Sequence, residues 1–126
     1  MKLSQMVRAA LQVSDLEQSK AFYGDVLGLT EVYSEGTAEG GNMHEFIGMP
    51  AGVTTRVCIL KQPDFTAYGM VGLFEVKNPS PPKIERPSEG CNLGEICMVF
   101  YCSDLDEVIR RAKAFPHTVV CEPKRI

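Results

Sequence analysis

A strand, a Ser-Asp-Leu junction and an amphipathic helix occur twice in this chain, and that repeat limits its fold more than any single motif. Asp15 and Asp104 lie 89 positions apart, and the same shift pairs Val7 with Ile96, Leu11 with Phe100 and Leu16 with Leu105. Each pair is apolar, so register persists through a strand and into a helix, as a duplicated supersecondary unit requires.

In the first copy, Met6 to Val13 alternates, with Val7, Ala9, Leu11 and Val13 on one face and Arg8, Ala10 and Gln12 on the other. That is a half-buried strand. Ser14-Asp15-Leu16-Glu17 places a capping hydroxyl three residues before a carboxylate, a reciprocal cap that starts a helix. Leu16, Phe22, Tyr23, Val26 and Leu27 form its apolar stripe, and Gly28 suits the left-handed residue that ends it. Leu29 to Ser34 reads as a strand and Gly36 to Gly41 as a flexible turn. Thr54 to Lys61 and Met70 to Val76 read as two further strands, parted by the Pro63-Asp64 breaker.

Asn78-Pro79-Ser80-Pro81-Pro82 and Arg86-Pro87-Ser88-Glu89-Gly90 then mark an extended connection. Glu95 to Cys102 is expected to be a strand, and Ser103-Asp104-Leu105-Asp106 repeats the cap. Leu105, Val108, Ile109, Ala112 and Phe115 form one helical stripe, and His117 to Cys121 begins another strand. The expected organisation is a β-α-β-β-β module over 1–77, a proline-rich linker over 78–93 and a partial β-α-β copy over 94–126, together one domain. The 126 residues suit one compact core.

With 44% hydrophobic and 23% charged residues, no apolar run approaches the ~20 residues of a membrane span. The first residues do not read as a signal peptide, so the expected location is cytoplasmic. A net charge of -3 with scattered Lys and Arg lacks a nucleic-acid footprint. Five cysteines without a Cys-x-x-Cys pair read as reduced core residues, three of them in apolar strand-like runs.

Leu11-Gln12-Val13-Ser14-Asp15-Leu16, Ala21-Phe22-Tyr23, Val26-Leu27-Gly28-Leu29 and the second Ser103-Asp104-Leu105-Asp106 resemble the vicinal oxygen chelate superfamily of glyoxalase I, bleomycin-resistance proteins, epimerases and extradiol dioxygenases. The resemblance covers nearly the whole chain. It implies an α+β fold of paired β-α-β-β-β modules curling around a pocket, here with the second module truncated after its second strand. It also implies a divalent metal held by strand side chains. In metal-using relatives one ligand precedes the junction Asp by seven residues in each module, and those positions here are Arg8 and Cys97. Arginine stays protonated and offers no lone pair. The third ligand position aligns with Gly72, which has no side chain, and the fourth falls on a strand that this sequence does not contain.

No ordinary metal site, and no cofactor, is therefore expected. Glu75 and His44 are weak alternatives for an atypical site, which Cys97 could join as a soft ligand, and alternation places Glu75 on the face away from Gly72 and Phe74. Arg8 could hold a carboxylate or phosphate, or pair with an acidic neighbour. Cys97 could be an activated thiolate or a buried inert thiol, and His44 a general base or a solvated loop residue. His117 reads as a helix-end residue without chemistry. Gln12, Tyr33, Arg56, Phe74 and Tyr101 are further candidates for the pocket wall, with Tyr33, Arg56 and Tyr101 reading equally as surface residues. The expected function is metal-independent binding of a small organic, anionic ligand. The alternative is a metal-dependent lyase, isomerase or dioxygenase with an atypical or inter-chain site. A bare interaction module is a third reading. The incomplete second copy leaves open edges, so the expected partner is a second copy of the chain, in a homodimer that can exchange modules.

Overall fold

The computed structural model describes residues 2–39, 42–116 and 118–125. Four strands form one sheet: β1 (Arg8–Gln12), β2 (Glu31–Glu39), β3 (Thr54–Lys61) and β4 (Met70–Lys77), in the spatial order β1-β4-β3-β2. β1 runs parallel to β4, while β4, β3 and β2 are successively antiparallel. Helix α1 (Leu16–Ala21) continues as a π-helical turn over Phe22–Val26, and Met43–Phe46 forms a short α2. Leu105–Ala114 forms α3. The α+β class follows directly.

β4 sits between β1 and β3, so both of its edges are paired, and every residue from Met70 to Val76 is buried. α1 packs on one face. There Leu16, Leu29, Cys58, Leu60, Val71 and Leu73 form the core, flanked by Leu11, Val13, Tyr23, Leu27 and Met98. Full burial contributes about 1.5–3 kcal/mol for a leucine, so Leu16, Leu29 and Leu73 anchor this layer.

The caps differ by one residue from the sequence expectation. Asp15, not Ser14, is the N-cap of α1, its Oδ1 accepting from the Gln18 N–H at 2.9 Å. Asp104 repeats this on α3, accepting from the Glu107 N–H at 3.1 Å. An aspartate in extended conformation reaches the third helical amide as well as serine does, so the adjacent pair leaves the exact cap open from sequence. Gly28 ends the π-helical turn at φ 77, its N–H bonded to the Gly24 carbonyl. That left-handed geometry costs glycine little.

β2 runs on through Gly36 to Glu39, where a flexible turn was expected, because β3 offers a ladder partner to each of these residues. A bulge falls at Tyr33, between Val32 and Ser34. Gly40 and Gly41 lie outside the described residues.

In the second copy the helix forms and the expected strand does not. Glu95–Cys102 and residues 118–121 join no ladder. In the first copy β1 is held by β4, whereas among the described residues no strand lies alongside 95–102. Without that partner the backbone of 95–102 stays solvated, and Ile96, Val99 and Tyr101 are exposed. Met98 alone reaches the core. α3 docks on the π-helical turn, with the Phe22 and Phe115 rings edge to face at 5.5 Å. The apolar stripe is buried only at Ala112, while Leu105 at its start is half exposed.

Candidate functional site

Ladder register sorts the candidate residues by face. Arg8, Ala10 and Gln12 on β1 lie opposite Met70, Gly72 and Phe74 on β4, which in turn face Ile59 and Val57 on β3. Side chains alternate along each strand, so all of these share the face away from α1. The β1 residues are exposed, whereas Met70, Phe74 and Ile59 are buried. At Gly72 an added Cβ would meet Phe74 Cε2 at 3.3 Å, the Ala9 carbonyl oxygen at 3.6 Å and Arg8 Cδ at 3.8 Å. The glycine therefore lets the Arg8 stem and the Phe74 ring close over the strand. Among the described residues, no carboxylate forms an ion pair or hydrogen bond with the Arg8 guanidinium.

Four of the eight pocket candidates, Arg8, Gln12, Gly72 and Phe74, are thus brought together. The other four are not. Arg56 lies on the α1 face, opposite Glu75 in the ladder, where its Nη2 donates to Glu17 Oε1 at 2.8 Å and its Nη1 stands 3.6 Å from Glu75 Oε1. It ties α1 to the sheet. Tyr33 is half exposed at the bulge of the edge strand. Cys97 and Tyr101 are exposed on the unpaired segment. The expectation of cysteines as core thiols holds for Cys58 alone, because Cys97 and Cys102 belong to a segment that has no buried sheet face. Burial pushes the Cys58 thiol up from its ordinary value.

Glu75 lies on the α1 face, as alternation requires. Its Oε2 accepts from the Leu16 N–H at 2.8 Å, and Lys77 Nζ stands 3.3 Å from its Oε1. The Leu16 N–H bond, then Lys77 and Arg56, hold its carboxyl below the usual range against the opposing effect of burial. The side chain is 6% exposed and serves as a second cap on α1. His44 sits in α2 rather than in a loop, with Nε2 3.9 Å from Glu45 Oε1. His117 lies outside the described residues.

The donor set does not fit a divalent metal of the kind that the resemblance implies. The space where a ligand side chain would stand at Gly72 is occupied by the Phe74 ring and the Arg8 stem, and the adjacent strand position carries a cation. Among the described residues no three His, Cys, Asp or Glu side chains gather into a ligand set.

Two clefts involve residues that sequence reasoning passed over. One, of about 760 Å³, lies at the C-terminal end of the β1–β4 pair and is lined by Gln12, Val13, Ser14, Val76 and Ser80 to Ile84 of the proline-rich segment. The other, of about 380 Å³, lies between α1 and the end of α3, walled by Phe22, Tyr23, Phe115, Pro116 and Val119 with Gln18, Ser19 and Thr118. Burial raises the Tyr23 hydroxyl above its ordinary value. Sequence did contain one signal for the first cleft, the prolines following directly on β4. Which strand ends they cover is set by tertiary packing.

Among the described residues no helix is long and apolar enough to cross a membrane. No curated relative matches the chain in sequence. Its fold is similar to that of a glyoxalase family protein from Bacillus cereus, with a TM-score of 0.71 at 16% identity, over 92% of this chain and 74% of that one. The sequence profile of the Glyoxalase/Bleomycin resistance protein/Dioxygenase superfamily matches residues 5–126. With the β-α-β-β-β module and the repeated capped helix, that match over nearly the full length establishes that the chain belongs to the glyoxalase/bleomycin resistance/dioxygenase superfamily.

Proposed function

We propose that this member binds a small organic anion on the sheet face away from α1, with Arg8 as its recognition group and without a divalent metal at the positions its relatives use. The supporting observation is the exposed Arg8, without an ion-pair partner among the described residues, its stem held over Gly72 on the face that also carries Phe74 and Ile59. A planar guanidinium donates in parallel to both oxygens of a carboxylate, while the apolar wall takes the body of the ligand. Neutral organic compounds of the same shape should bind less well.

Titration calorimetry with benzoate and with benzyl alcohol tests this reading. Benzoate is expected to bind, benzyl alcohol to bind weakly, and Arg8→Ala to remove the difference. Equal binding of both compounds by the wild type would overturn the anion reading. A stoichiometric divalent metal on the strand side chains, with benzoate binding lost in chelator, would favour the metal-dependent lyase, isomerase or dioxygenase reading instead.

A further inference from the structure

We propose that the 760 Å³ cleft at the end of the β1–β4 pair is a second, separate binding site, which takes a monocarboxylate with a short apolar body and holds it through Lys83. Its volume falls within the few hundred to a thousand Å³ typical of small-molecule sites. Gln12 and Ser14 lie at the end of β1, and Ser80 and Lys83 come from the segment that crosses above. All four can donate hydrogen bonds. Among the described residues no aspartate or glutamate lines the cleft.

None of these four side chains is committed elsewhere among the described residues. Lys83 differs in this from Lys20, Lys61, Lys77 and Lys113, each of which stands within ion-pair distance of a glutamate. One cation among neutral donors suits a single negative charge better than a dianion. Val76, Pro81 and Pro82 supply the apolar wall. The prolines also restrict the backbone of the roof, so less ordering is needed when a ligand enters.

This site does not depend on Arg8. Arg8 and Gln12 are four residue steps apart on β1, about 13 Å at ~3.3 Å per step, which is farther than one carboxylate with a short chain can bridge. The two positions are therefore distinguishable by mutation.

The test is an amide-resolved NMR titration of the full chain with hexanoate, and with 1-hexanol as the uncharged control. Hexanoate is expected to shift the amides of Ser14, Val76, Lys83 and Ile84 to saturation, and hexanol to leave them nearly unmoved. Lys83→Met, on an exposed segment outside the sheet, should weaken the hexanoate response about tenfold or more, the scale of one charge-assisted contact. Arg8→Ala should leave it unchanged. Unmoved cleft amides, an equal response to hexanol, or undiminished binding by Lys83→Met would each overturn the proposal. Failure of the Arg8 reading shows elsewhere, as benzoate binding that Arg8→Ala does not alter.

Discussion

Replacing Glu75 should detach the start of α1 from the sheet. In the wild type its carboxylate is almost fully buried, accepts from the Leu16 N–H at 2.8 Å and stands within 3.3 Å of Lys77 and 3.6 Å of Arg56. Glu75→Ala leaves a first-turn amide without its acceptor, about 1–3 kcal/mol, and removes the anion that two cations face. Both cations are exposed and stay solvated after the loss, so they add little, and about 2–3 kcal/mol is expected in total. Glu75→Gln keeps a carbonyl for the Leu16 N–H and loses only the charge, so about 1–2 kcal/mol is expected. Urea unfolding followed by far-ultraviolet circular dichroism measures both. The pH dependence adds a second check. Because the folded carboxyl titrates below the ordinary 4.5, its stabilisation is fully present above the unfolded value and is lost as pH falls through the folded one. The gap between wild type and Glu75→Gln should thus be constant from about pH 7 to 5 and close below about pH 4. A loss under about 1 kcal/mol for Glu75→Ala, or a gap that persists unchanged to about pH 3, would refute this account.

Leu73→Ala opens a cavity at a fully buried site in the α1 layer and should cost about 2–5 kcal/mol by urea midpoint, with the slope unchanged. Gly72→Ala places a methyl 3.3 Å from the Phe74 ring and should destabilise by about 1–3 kcal/mol while weakening benzoate binding, read by calorimetry. Asp15→Ala should cost about 1 kcal/mol of global stability, whereas Asp104→Ala should lower amide-exchange protection in α3 with little change in the urea midpoint, because α3 touches mainly the π-helical turn. Light scattering should give a dimer mass at micromolar concentration, since an unpaired segment with exposed Ile96, Val99 and Tyr101 favours pairing with a second copy; a monomer mass would contradict this.

What could be read from the sequence was what a few neighbouring residues decide. β3 spans Thr54–Lys61 as the alternation predicts, and β4 gains only Lys77. Gly28 does end the first helical segment. The π-helical turn was not foreseen, because Phe22 to Leu27 carries the same apolar spacing whether the turn is α or π. α2 has only four residues, too few to show periodicity. At the site, alternation assigned Arg8, Gln12, Gly72 and Phe74 to one face, which requires only that β1 and β4 be neighbours. Arg56 was misplaced because its strand phase does not say which face carries the helix, and Glu17 and Glu75 are both on the helix side.

The two copies separate local from non-local information more sharply than any single element. Both contain the Asp cap and the apolar stripe, and both form the helix, whose hydrogen bonds close within four residues. Both contain an apolar strand pattern, yet only Arg8–Gln12 becomes a strand, because only it finds β4 alongside. A ladder is a property of two segments, so equal propensity at Ile96–Tyr101 produces no strand without a second edge. The same asymmetry reaches the site. Arg8 and Cys97 are equivalent in the repeat, but the first is set over Gly72 by a paired strand and the second is exposed on a segment with no sheet partner. The proposed anion recognition on the sheet face therefore rests on the first copy, and any contribution from Cys97 requires a partner strand to fix its backbone.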